Sequence, residues 1–147
     1  RPIYSSVTKK KYNNQHKKYP VSWWKHISEN KLTNKWENYD KNINKYGVYC
    51  GTTLEDWEHA NWITKYHPYG WVQWYCDFYQ GKRCPDDERQ IKRWKQTAGP
   101  TSRFRKALIN LIKRKNTYFD DYNVSPKIRQ TLQHWGYLLT EKDFLNN

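Results

Sequence analysis

Asp86, Asp87 and Glu88, directly after Pro85, form the only run of three acids in the 147-residue chain. Paired carboxylates can hold the divalent cations that stabilise a phosphoryl-transfer transition state, so a metal-dependent nuclease is the first chemistry to weigh. Their position favours a plainer role. Acids just after a proline sit at the positive end of a helix, where they offset the macrodipole without any metal, and Glu88 also stands four residues before Lys92. No acid-x-Lys element on a strand follows, so a restriction-type core has no support. Asp56 and Glu58, beside His59, fall in the first turns of a capped helix and read the same way. Cys50, Cys76 and Cys84 with His67 are ligand types that zinc accepts, yet no pair has the short spacing of a finger or ribbon. Buried free thiols are the reading. Nothing around His134 or His67 points to a cysteine nucleophile of lowered pKa, and phosphate-cradling glycine loops and a nucleophile elbow are absent from the sequence. No catalytic residue, metal or cofactor is assigned, and an enzyme is the least supported class.

Charge carries more information. The 27 Lys and Arg against 14 Asp and Glu give a net charge of +13, and the excess is clustered. Residues 1–26 hold seven bases and no acid; residues 82–115 hold twelve bases against three acids, a local +9. Clustered cations are the electrostatic footprint of a polyanion binder, because each neutralised phosphate releases condensed counterions. In the first block the candidates are Lys9, Lys10, Lys11, Lys17 and Lys18. In the second they are Lys82, Arg83, Arg89, Lys92, Arg93, Arg103, Arg105, Lys106, Lys113 and Arg114. Arg103, Lys106, Lys113 and Arg114 keep to one side of a helix whose other side is apolar. Lys127, Arg129 and Gln130, with Gln133 and His134, are expected to face outward from the last long helix, where Arg and Gln suit bidentate contacts with base edges. Trp71, Gln73, Trp74 and Asp77 with Tyr75 could line a pocket for an extruded base, although rings in that pattern more often make core.

Elements must hold these groups in place. Leu, Ile, Val and Phe make only 25 of 147 residues, a proportion that with this charge would suggest disorder. Nine Trp and 13 Tyr reverse that, since each large ring can bury roughly 150–250 Å². The chain is read as an all-α, aromatic-cored domain over 21–147 behind a basic extended arm over 1–20. Helices are expected from Ser22 to about Asn30, over 34–44, over 53–61 with Thr53 and Asp56 as a capping box, and from Pro68 to Gly81. Others follow Pro85 up to Gly99-Pro100, run from Thr101 to about Lys115, start at Ser125-Pro126 and stop at Gly136, and close over Thr140–Asp143. The helix after Pro68 is apolar on nearly every side and is placed at the centre of the domain. Period-two alternation is nearly absent. No stretch approaches the roughly 20 apolar residues of a membrane span, and the basic N-terminus has no apolar run after it. The chain lacks Met and opens on Arg1, as a fragment of something longer or a processed product would.

Tyr46-Gly47-Val48, Leu54-Glu55-Asp56-Trp57-Glu58, Pro68-Tyr69-Gly70-Trp71-Val72-Gln73-Trp74-Tyr75-Cys76, Gly81-Lys82-Arg83 and Asp86-Asp87-Glu88-Arg89-Gln90-Ile91 with Trp94 form a distinctive wording. So do Ala98-Gly99-Pro100 with Arg103, and Ser125-Pro126-Lys127-Ile128-Arg129-Gln130-Thr131-Leu132 with His134-Trp135-Gly136-Tyr137. Together they resemble an uncharacterised family of large DNA viruses, fungi and other microbial eukaryotes, over about residues 46–140. The resemblance implies a single domain and transfers no activity. The expected function is therefore DNA binding through phosphates, with DNA ahead of RNA as partner and an intracellular setting in a nucleus, viral factory or virion. The alternatives are a structural or genome-packaging protein that meets acidic partners, and a nucleic-acid-processing enzyme.

Overall fold

The structure, a computed structural model, describes residues 1–146 and is mostly helical. Its contacts fall into two compact units, one of residues 1–39 and 52–87, the other of 40–51 and 88 onward.

In the first unit the expected extended arm is instead a hairpin. Strands β1 (Ile3–Ser5) and β2 (Lys10–Tyr12) pair antiparallel with Ser5 opposite Lys10, and Lys9 turns the chain at φ 57°. Three-residue strands are too short to show alternation, which is why the sequence pattern hides them. The hairpin is fastened by Glu58 of α2 (Leu54–His59), whose carboxylate accepts from the Ser5 hydroxyl and the Ser6 N–H, both at 3.1 Å, and from the Ser6 hydroxyl at 2.6 Å. A 3₁₀ turn, Gln15–Lys18, then delivers Tyr19 into the interior.

The helix expected over 22–30 is broken into a 3₁₀ turn, Val21–Trp23, and the short α1 (Glu29–Leu32). The one expected over 34–44 is reduced to two 3₁₀ turns, Trp36–Asn38 and, in the second unit, Lys41–Ile43. The cause lies in the side chains: Asn34 bonds the Asn38 carbonyl and the Lys35 N–H, and Asp40 accepts from the Asn42 N–H. Such local bonds give the backbone an alternative to the helical ladder. At α2 the expected capping box is present, with Thr53 Oγ1 accepting from the Asp56 N–H and the Asp56 carboxylate from the Thr53 N–H.

Helix α3 (Trp71–Tyr79) starts on Gly70 at φ 85°, where a side chain would also meet Ile63 at 3.1 Å. Only Trp74 and Cys76 of this helix are buried; Val72, Tyr75 and Tyr79 are exposed. The placement of α3 wholly inside the protein is thereby corrected. Trp74 packs on Phe78, with centroids 5.0 Å apart, and on Trp71 at 6.0 Å, so an aromatic cluster fills this unit beside Leu54 and Ile63.

The second unit takes in α4 (Asp87–Ala98) from its second residue, α5 (Arg103–Arg114), α6 (Pro126–His134) and α7 (Glu141–Leu145). Its core is aliphatic: Ala98, Leu108, Ile109, Ile112, Val124, Leu132 and Leu139 with Phe144, while Trp94, Phe104, Trp135 and Tyr137 pack against them. The expected aromatic core thus belongs to the first unit. Ser102, one residue after the expected start, caps α5 by accepting from the Arg105 N–H. Gly99 permits the α4–α5 corner, since a Cβ there would run into the Lys95 carbonyl oxygen. Among the described residues no helix is long and apolar enough to cross a membrane.

Candidate nucleic-acid interface

The residues of α5 sort cleanly by face. Arg105, Leu108, Ile109 and Ile112, spaced three, one and three, are buried, and Arg103, Lys106, Asn110, Lys113 and Arg114 are exposed. The exposed set recurs at helical spacing and so forms one stripe, about 16 Å from Arg103 to Arg114 at 1.5 Å per residue. The helix contains no acid, and among the described residues no carboxylate stands within ion-pair distance of Arg103, Lys106 or Arg114. Lys113 and Arg114 also complement the negative end of the helix dipole, so the stripe adds to helix stability as well as to surface potential. Lys92 of α4 and Lys127 of α6 are exposed cations of the same unit.

Arg105, Arg129 and Gln130 turn inward, which corrects their assignment to an interface, and several other cations, exposed or half-buried, are engaged by neighbouring groups. Arg129 is 2% exposed; its Nε donates to the Val124 carbonyl at 2.9 Å, and its Nη2 to those of Phe119 at 2.9 Å and Asp121 at 3.0 Å. Gln130, equally buried, accepts the Tyr46 N–H at 3.0 Å and anchors the 40–51 segment. Neither can reach a base edge. Arg105 lies over the Tyr137 ring and pairs with Asp143 at 3.0 Å. Arg93 donates to Gln90 and lies over Trp135, and Arg89 is half-buried. In the first unit Lys82 pairs with Asp77 at 2.9 Å, while Arg83 covers the Phe78 ring and donates to the Phe78 and Lys82 carbonyls. The run of bases over 82–115 is therefore not a single surface feature. The hairpin and the turn after it leave Lys9, Lys10, Lys11, Lys17 and Lys18 exposed, with Lys17 3.7 Å from Glu29.

Asp143 is held below the usual carboxylate range by the Tyr137 hydroxyl at 2.8 Å and, after that, by Arg105, against some burial. Asp143→Asn would leave the Arg105 guanidinium buried without its counter-charge. A third of the Asp143 side chain is exposed, so the expected loss is about 2 kcal/mol, below the usual cost of breaking a fully buried pair, measured as a lower urea midpoint at unchanged slope.

The base pocket expected around Trp71, Gln73, Trp74 and Asp77 is closed by its own bonds. Trp74 is buried with its indole N–H on Asp87 at 2.8 Å, Gln73 accepts the Tyr69 N–H at 3.0 Å, and Asp77 is occupied by Lys82 and by His67 Nε2 at 3.5 Å. The carboxylates after Pro85 are similarly employed. Asp86, buried, accepts from Thr64, and Asp87 accepts from Trp74 and from the Cys84 N–H. Burial works against ionisation of Asp87, but those donors outweigh it and hold its carboxyl low. Among the described residues no three His, Cys, Asp or Glu gather as a metal site, and the three cysteines are free thiols. An open cleft of about 540 Å³ lies elsewhere in the first unit, among His16, Tyr19, Val21, Trp24, Ile27 and Leu32.

His67 is 5% exposed with Nδ1 unpartnered, and burial lowers its pKa more than Asp77, Asp86 and Asp87 raise it. The unfolded chain takes up this proton near pH 6.5 and the folded chain only lower, so the contribution of neutral His67 is complete above 6.5 and fades as pH falls below it. Asp87 and Asp143, whose folded pKa values are depressed, add a second loss below about pH 4. The thermal midpoint is expected to drop between pH 7 and pH 5, and His67→Gln should flatten that dependence.

No family model, curated protein or solved structure matches the chain.

Proposed function

We propose that the protein is a nucleic-acid-binding module whose α5 stripe lies along duplex DNA and holds phosphates with Arg103, Lys106, Lys113 and Arg114. What supports this is one observation: four cations on one exposed helical face, on a helix free of acids, backed by a buried and mostly apolar face that fixes its orientation. The four cations of the stripe would neutralise up to four phosphates. The exposed lysines of the hairpin supply a second, sequence-independent attraction, and a genomic partner places the protein in a nucleus or viral factory. With Arg129 and Gln130 buried, base-edge reading from α6 forms no part of the proposal.

Fluorescence anisotropy on a labelled duplex across salt concentrations tests it. Four phosphate contacts give a slope of log affinity on log salt of about −3 to −4, and so about a hundredfold weaker binding at 200 mM than at 50 mM. Binding to acidic protein with no duplex affinity at 50 mM salt would assign the surface to packaging contacts and refute the proposal.

A further inference from the structure

Helix α3 is inverted. Its polar residues, Gln73 and Asp77, make internal bonds to Tyr69, His67 and Lys82, and its exposed face carries Val72, Tyr75 and Tyr79 with half-buried Trp71 and no charge at all. A soluble amphipathic helix is arranged the other way round. Tyr79 is 70% exposed and Tyr75 47%. Exposed rings grouped on one face mark a contact surface far more often than rings scattered singly.

The rings form a row. Trp71 stacks on Tyr75 with centroids 5.2 Å apart and planes within 15°, Tyr75 meets Tyr79 at 6.3 Å, Tyr79 meets Trp23 at 5.6 Å, and Trp23 stacks on Tyr19 at 5.9 Å. Tyr19 itself is buried and only supports the row from within, while Lys17 and Lys18 are exposed just before it and Lys82, paired with Asp77 yet more than half exposed, stands 5.9 Å from its ring. A graded series of planar rings ending in cations is how proteins hold single strands, bases on the rings and phosphates on the ammonium groups. The rival occupant, a second copy of the chain, needs about 800 Å² per partner, whereas three exposed side chains supply a few hundred at most.

We infer that the outer face of α3, with Tyr75 and Tyr79 as the stacking rings, binds unpaired bases of single-stranded nucleic acid. This deepens the nucleic-acid reading and rests on it, but uses a different unit and a different force. Stacking is sequence-tolerant and is worth between about fivefold and a hundredfold in affinity per base.

The test uses the full chain with two probes at one salt concentration, a labelled ten-nucleotide oligo(dT) and a ten-base-pair duplex. Tyr75→Ala with Tyr79→Ala is expected to weaken oligo(dT) binding tenfold or more and leave duplex affinity within twofold. Tyr75→Phe with Tyr79→Phe should bind like the wild type, and the Leu pair, apolar but not planar, like the Ala pair. Oligo(dT) affinity indifferent to all three variants overturns this inference while duplex binding stands. Loss of both probes from the wild type removes the phosphate reading too. Concentration-dependent self-association that the Ala pair abolishes would assign the face to a second copy and overturn the inference.

Discussion

Replacing Arg129 with alanine is expected to cost about 4 kcal/mol, the largest single-residue effect in the second unit. The guanidinium is nearly sealed from solvent and has no carboxylate at ion-pair distance among the described residues; three carbonyls from 119–124 take its place, with Tyr122 beneath it at 5.4 Å. Burial lowers its pKa, and the nearby Tyr46, Tyr122, Asp121 and Asp120 only partly oppose that. Truncation removes three charge-assisted bonds and leaves their acceptors in a place water reaches poorly. Arg129→Lys should recover less than half, because a single ammonium cannot reproduce a fork that serves Val124 through Nε and two further carbonyls through Nη2. Urea unfolding of the three proteins at pH 7 measures this, and a loss for Arg129→Ala under 1 kcal/mol would show that the loop holds itself.

The second large effect is on binding. Reversing Lys106 and Arg114 to Glu replaces two attractions by two repulsions on the α5 stripe, and duplex affinity at 100 mM salt should fall by about a hundredfold or more. Both side chains are exposed, so the folded state should change by no more than about 0.5 kcal/mol, apart from a small dipole penalty at Arg114. The contrast with Arg129 matters. A loss of binding in Arg129→Ala would accompany unfolding, whereas here binding goes and the urea midpoint stays.

How far the sequence disclosed this arrangement varies by residue. The caps at Thr53 and Thr140 and the proline opening α6 were readable because they are local, the first two being side chains that answer a backbone N–H three residues on and the proline a ring whose fixed φ suits a first helical turn. The outward stripe of α5 was readable from its spacing. Arg105 was readable in principle, since its steps to Leu108, Ile109 and Ile112 put it on the apolar face, and only its charge argued for solvent. Arg129 carried no such signal, because its partners are carbonyls of a loop without periodicity. The hairpin was hidden by strands of three residues and by a fastening to Glu58 more than fifty positions away. The outward rings of α3 were hidden for another reason: hydropathy marks Tyr and Trp as core, and only the internal bonds of Gln73 and Asp77 show which way the helix is turned.

The most direct measurement is the salt slope of duplex binding for the wild type beside Lys106→Gln with Arg114→Gln, which removes charge without adding repulsion. Each phosphate contact carries about 0.9 of slope, so the variant should lie about two units nearer zero than the wild type, with its urea midpoint unmoved. Identical slopes for the two proteins, or a wild type whose duplex affinity ignores salt, would contradict the claim that α5 is the phosphate-binding surface.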